Sequence, residues 1–334
     1  MKRLLPVVPL LIVAALILSG CVTSRRDHEI ASEFYDLGNA YVELGKYDKA
    51  ITEFQAALKI DPGFVKADYN LALAYAHSKK TDDAIAILKR LLIADPENTQ
   101  VLSALGWAYH LAARDADALV QYATVVRLSP ADLNALYNAG IILWKLKRPQ
   151  EAMEKFNDLL ARAPDDTDTL YAAGSLLLSL DDAAGSADMI SRYLDKKPAD
   201  SEGWYLLAAA AERQKKYTQA LAAYDKIIAI DSAQGDAWFG ETRLLLTVVE
   251  DAQRGLDALG KALAAGFKDT KAVQALLDSP GLLERDKVEA ALKGKGLLPA
   301  QAPAAPSAPS GTPPISGSDT KPPAGPDMKK APSR

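Results

Sequence analysis

Residues 31–166 repeat themselves every 34 positions without insertion or deletion, and no other feature constrains the chain as strongly. The first copy, 31–64, reads ASEFYDLGNAYVELGKYDKAITEFQAALKIDPGF, with Phe34, Leu37, Gly38, Tyr41, Ala50, Phe54, Ala57 and Pro62 at positions 4, 7, 8, 11, 20, 24, 27 and 32. The same slots hold Asp68, Leu71, Ala72, Tyr75, Ala84, Leu88, Leu91 and Pro96 in 65–98. In 99–132 they hold Leu102, Leu105, Gly106, Tyr109, Ala118, Tyr122, Val125 and Pro130, and in 133–166 Leu136, Ala139, Gly140, Leu143, Ala152, Phe156, Leu159 and Pro164.

The spacing dictates two helices per copy, each with an apolar face recurring at i, i+3, i+4 and i+7. Small residues at positions 8 and 20 let the first helix (A) and the second (B) approach closely, and large residues at 4, 7, 11 and 24 fill the seam. Pro at position 32 stands just past helix B, where it stops the helix without removing an interior hydrogen bond. One such pair cannot bury its own apolar face, so copies must stack.

These positions resemble the signature of the tetratricopeptide repeat. The resemblance implies an all-α, right-handed superhelical solenoid of about seven helix-turn-helix repeats, at 31–64, 65–98, 99–132, 133–166, 167–200, 201–234 and a degenerate 235–268. In the last copy Glu241, Arg254 and Lys261 stand at positions 7, 20 and 27, where small or apolar residues are expected. Residues 269–298 read as capping helices, with Ser279 capping a helix that starts at Pro280 and ends at Gly294. Beyond them, 299–334 carries ten of the 19 prolines among Ala, Ser and Gly and no apolar periodicity, the composition of a disordered tail. Lys329, Lys330 and Arg334 make its end basic, which suits a solubilising spacer or contact with anionic cell-wall or lipid surfaces.

The N-terminus is a targeting segment. Lys2 and Arg3 precede an apolar run, Leu4 to Leu18, that at about 15 residues is shorter than the roughly 20 a membrane-spanning helix needs. Leu18-Ser19-Gly20-Cys21 then resembles the lipobox of bacterial lipoproteins, and Cys21 is the only cysteine in 334 residues. That resemblance implies removal of residues 1–20 as a signal peptide, lipid attachment (diacylglycerol thioether and an acylated amino terminus, the palmitate type of anchor) at Cys21, and residues 21–30 as a linker. Several acyl chains anchor stably, since each buried methylene contributes about 0.8 kcal/mol. Val22, rather than Asp, after the cysteine implies the outer membrane under the enteric sorting pattern.

In the tetratricopeptide family helix A lines a concave groove. Position 5 here reads Tyr35, Tyr69, Ser103, Tyr137, Tyr171, Tyr205 and Phe239, an aromatic ladder that either contacts ligand or supports packing. Trp107, Ile141, Trp144 and Leu178 at positions 9 and 12 add a central apolar patch, the kind of anchor that dominates binding surfaces, unless the Trp side chains fold down onto adjacent helices. The carboxylate clamp of the family's co-chaperones is not reproduced: Asn39 fits one slot, but no copy has Lys at position 5.

Other chemistries find little support. A net charge of −4 with no basic face argues against nucleic acid. One Cys and three His residues argue against a metal site, although His77 and His110 fall at neighbouring groove positions. Asp132, Asp166 and Asp200 recur at position 34, where a carboxylate caps helix A. No nucleophile–base arrangement or phosphate loop stands out, so neither catalysis nor a cofactor is expected beyond the covalent lipid on Cys21. The expected function is a membrane-anchored interaction scaffold of the bacterial cell envelope, binding a peptide or partner protein in its groove. The alternatives are a pilot-type lipoprotein for secretin or pilus assembly, and a transport accessory pairing with a solute-binding protein.

Overall fold

The computed structural model describes residues 8–298 and 328–329, with side chains from residue 25 onward. Residues 1–7, the side chains of 8–24 and the tail other than 328–329 lie outside the described residues, so the start of the signal peptide, the lipid attachment at Cys21 and most of the tail go undescribed. All regular structure among the described residues is helical. The A helices are α1 (Val8–Glu43), α3 (Val65–His77), α5 (Thr99–Leu111), α7 (Leu133–Lys145), α9 (Thr167–Ser179), α11 (Ser201–Arg213) and α13 (Gly235–Thr247). The B helices are α2 (Tyr47–Ile60), α4 (Thr81–Ala94), α6 (Asp115–Leu128), α8 (Pro149–Arg162), α10 (Ala183–Lys196), α12 (Tyr217–Ile230) and α14 (Ala252–Ala264), followed by α15 (Thr270–Leu277) and α16 (Arg285–Gly294). Residues 21–30, expected as a linker, continue the helix that enters the first repeat.

The chain divides into two compact units, residues 1–155 with 328–334, and residues 156–327. In the first, each helix from α1 to α7 packs on its sequence neighbours, and α1 and α3 also touch the next A helix. In the second, α9 to α14 do the same, and α16 packs on α14. This is the wiring of a solenoid, in which every element meets only near neighbours in sequence.

Close approach of A to B rests on position 8. At Gly38 a Cβ would meet the Phe54 ring at 2.5 Å, and at Gly174 it would meet the Ile190 side chain at 2.6 Å. In both pairs the facing side chain comes from position 24 of the same repeat's helix B. The A-to-B turn repeats as well. Position 15 is left-handed in the first six copies, at Gly45 and then at Lys79, Ala113, Lys147, Asp181 and Lys215. The next amide returns to the carbonyl five residues back, as from Arg148 to Leu143 at 2.9 Å, which satisfies the end of helix A. Helix A is capped as expected: Asp132, Asp166 and Asp200 accept from Ala135, Thr169 and Gly203 amides, each at 2.9 Å.

The seventh repeat departs from its sequence reading. Its left-handed residue is Glu250, one place late, and the Asp251 amide returns six residues, to Leu245, at 3.0 Å. One inserted residue in the turn shifts α14, so Gly255, Leu259 and Ala262, all buried, take positions 20, 24 and 27 in place of Arg254, Ala258 and Lys261. Helix B of this repeat is therefore regular and only offset. The cap also differs: Ser279 donates its hydroxyl to the Ala275 carbonyl at 3.0 Å at the end of α15, and α16 starts at Arg285 after a left-handed Glu284.

Candidate functional site

The position-5 ladder splits by depth. Tyr35, Tyr137 and Phe239 are buried, while Tyr69, Tyr171 and Tyr205 are half-buried. Tyr35 packs 5.8 Å from Phe54 and 5.0 Å from Phe64, Tyr171 lies 5.3 Å from Tyr193, Tyr205 meets Tyr224 edge-on at 6.3 Å, and Phe239 stacks on Phe267 at 4.0 Å. These rungs spend much of their surface on neighbouring helices. Burial pushes the Tyr69 phenol up to about 12, and burial with help from the Glu202 carboxylate raises that of Tyr171. Tyr69 and Tyr171 thus present neutral phenols at physiological pH.

The apolar patch expected around them divides in the same way. Trp107, Ile141 and Leu178 are buried, and Trp144 is half-buried. Trp107 folds down onto its neighbours, 4.8 Å from the His77 ring, which is itself stacked on Tyr47 at 4.4 Å. His110 goes elsewhere, to Asp115 at 2.6 Å, with Lys145 on the same carboxylate at 3.0 Å. The two histidines therefore serve separate contacts. No group of three or more His, Cys, Asp or Glu able to hold a metal occurs among the described residues.

The polar residues that matter stand at position 6, one place along from the ladder. Asn70 is buried and donates to Asn39 at 2.7 Å and to the Tyr35 hydroxyl at 3.1 Å, tying helix A of the second repeat to that of the first. Asn39, the one residue that fitted a carboxylate-clamp slot, is thereby engaged. Asn138, 4 % exposed, faces a different partner. Its amide nitrogen donates to the Lys329 carbonyl at 2.9 Å, and its oxygen accepts from the Lys329 amide at 2.8 Å. The Lys329 ammonium lies 4.8 Å from the centre of the Tyr137 ring, a cation–π contact. Met328 packs against the apolar cluster built from α3 to α7.

Sequence reasoning ranked the ladder by aromaticity and passed over Asn138. The available signal was a buried-period Asn recurring at position 6, in two copies, on an otherwise apolar stretch of helix A. A side-chain amide there cannot be packing residue alone, because burial obliges it to find partners. What the arrangement does chemically is grip the main chain of an extended segment with a donor and an acceptor at once, without regard to side-chain identity. A separate open cleft of about 580 Å³ lies between α2, α3 and α4, with the Arg90–Asp68 ion pair at 2.6 Å in its wall.

Models of the tetratricopeptide repeat match residues 35–99, 79–132, 103–167, 143–210 and 201–234, which together run unbroken over most of the helical body. No curated protein matches the chain in sequence. Among solved structures, the C-terminal part of a repeat-containing protein from Cytophaga hutchinsonii matches with TM-score 0.62 and 17 % identity, covering 72 % of this chain and 98 % of that one. Pseudomonas aeruginosa pilF matches with TM-score 0.53 and 18 % identity over 62 % of this chain and 94 % of its own. A repeat protein from Parabacteroides merdae matches with TM-score 0.52 and 16 % identity over 78 % and 98 %. At identities this low, these likenesses show a shared fold and nothing more.

Proposed function

Because the chain belongs to the tetratricopeptide repeat family, a fold that serves as a scaffold for protein–protein interaction, we propose that it is a lipid-anchored scaffold of the bacterial cell envelope that holds an extended peptide or a partner's segment along its A helices. The observation that carries this reading is the two-bond grip of Asn138 on a main-chain amide and carbonyl. A side-chain amide so placed takes any extended backbone, and the flanking apolar and aromatic surface selects among side chains.

The address rests on sequence. The n-region, the short apolar run and Leu18-Ser19-Gly20-Cys21 support a cleaved lipoprotein tethered through Cys21, and Val22 supports the outer membrane. No helix among the described residues is long and apolar enough to cross a membrane. The scaffold works by binding and uses no cofactor beyond the lipid.

Photo-crosslinking from position 144 in intact cells tests the reading. Trp144 is half-buried on α7, the helix that carries Asn138, so a photoreactive residue there reports on whatever lies along that helix. Recovery of one envelope protein supports the scaffold. Adducts of lipid and abundant porins alone would remove its support.

A further inference from the structure

The segment held by Asn138 belongs to this chain. Residues 328–329 follow the capping helices by some thirty positions in sequence, yet they sit with α7 in the first compact unit. Three independent contacts place them: the reciprocal pair of hydrogen bonds between Asn138 and the Lys329 main chain, the Lys329 ammonium over Tyr137, and Met328 on the α3–α7 cluster. Reciprocal bonding of this kind is how one extended strand recognises another, and it demands an unblocked N–H at the central residue.

We propose that Met328–Lys329 is the resident occupant of a peptide site on α7, and that an incoming partner segment, an extended stretch with a bulky apolar residue followed by Lys, binds by displacing it. The proposal rests on the scaffold reading and deepens it by giving the site a ligand chemistry and a built-in competitor. Asn138 supplies backbone recognition that is blind to sequence. The apolar cluster under Met328 and the ring under Lys329 supply the preference for an apolar–Lys pair. A tethered competitor acts at an effective concentration on the order of millimolar, so it masks the site against weak ligands and yields to strong ones.

The sequence of the tail supports the choice of occupant. Pro326-Asp327-Met328-Lys329-Lys330-Ala331-Pro332 has a proline three places before Lys329 and another three places after it, neither at the residue whose amide is needed. Proline favours an extended backbone and cannot continue a helix.

The test uses the full-length protein in detergent and a fluorescent peptide with the sequence of residues 326–334. In the wild type the resident tail competes. Lys329→Pro removes the amide that donates to Asn138, releases the tail, and should tighten binding of the added peptide by at least about tenfold, the factor expected if the site is open in about a tenth of molecules. Lys329→Ala keeps the amide and should give a smaller gain. Adding Asn138→Ala to Lys329→Pro should abolish peptide binding, with helicity by circular dichroism unchanged. Asn138→Asp, which keeps an acceptor and loses the donor, repeats that arm if the alanine variant folds poorly. Equal peptide affinity in wild type and Lys329→Pro, with dependence on Asn138 retained, would overturn resident occupancy and leave the peptide site standing. No binding to any variant would overturn this ligand for the site, while the scaffold reading would still be judged by crosslinking from position 144.

Discussion

Arg243 and Glu212, 31 residues apart on successive A helices, are joined through one guanidinium nitrogen that lies 2.7 and 2.5 Å from the two carboxylate oxygens. Tyr224 donates its hydroxyl to the same carboxylate at 2.8 Å, so helix B of the sixth repeat enters the network. Glu212 is only 16 % exposed, and removing its partner strands a carboxylate largely away from water. Arg243→Met should therefore lower stability by about 3 kcal/mol in denaturant unfolding followed by far-UV circular dichroism. The double variant Arg243→Met/Glu212→Gln should recover much of that loss, since no charge is left unpaired. If the double variant is as unstable as the single, the stranded charge is not the cause.

Glu241 brings an acid into a helix face where the repeat wants an apolar residue. It is 3 % exposed, and burial, with a hydrogen bond donated by its protonated carboxyl to Asp225, pushes that carboxyl up to about 7, against the milder pull of Arg254 at 3.5 Å. The folded protein thus keeps a proton that the unfolded chain releases near pH 4.5. The stabilisation from that proton is complete below the unfolded value and is lost as pH rises toward 7. Between pH 5 and 8 the second unit should lose on the order of 2 kcal/mol, and Glu241→Gln should flatten the profile. A wild-type profile that is already flat over this interval would remove the protonated Glu241.

The repeat was legible because its determinants are local. Helix period, small residues at position 8 and the Asp caps each act within 34 residues, and the helices from α3 to α13 fall where the spacing put them. The seventh copy was misread because a one-residue insertion in a turn carries no composition signal; its trace is the shift of Gly255, Leu259 and Ala262 by one place. Ser279-Pro280 looked like a helix start for a related reason: a cap-and-proline pair is also a turn, and packing of α15 and α16 decided between them. At the candidate site, the ladder residues could be placed on helix A from sequence, but how deeply each was buried depended on its neighbours. The partner of Asn138 lies 191 residues away, in a stretch whose composition predicts no structure, so no local rule could reveal it.

Two glycines separate close packing from chain flexibility. Gly240 lies under the Tyr224 ring, whose own burial leaves it little room to retreat, so Gly240→Ala should destabilise by about 1–3 kcal/mol through overpacking. Gly260 is exposed within α14 with nothing within 4 Å of a Cβ, so Gly260→Ala should stabilise by roughly 0.5–1 kcal/mol by stiffening the unfolded chain and favouring the helix. Opposite signs in the same unfolding assay are the expected result. Two shifts of the same sign would mean that α13 does not pack on α12 as described.

Asn70 and Asn138 occupy the same position in repeats two and four, yet replacing them should have different consequences. Asn70 joins two helices of the folded body, and Asn70→Ala leaves the Asn39 oxygen without its 2.7 Å donor and the Tyr35 hydroxyl without a neighbour that is itself buried. That should cost about 1–3 kcal/mol of stability. The two bonds of Asn138 run instead to a tail segment whose ordering is opposed by chain entropy, so their net contribution is small. Asn138→Ala should therefore change unfolding by about 1 kcal/mol or less while the tail is released, read as faster proteolysis after Lys329 or Lys330 with the helical body intact. The comparison separates an asparagine that builds the scaffold from one that holds what the scaffold binds. Equal losses of stability would place Asn138 in the core instead, and unchanged proteolysis would show that the tail is held by something other than its amide.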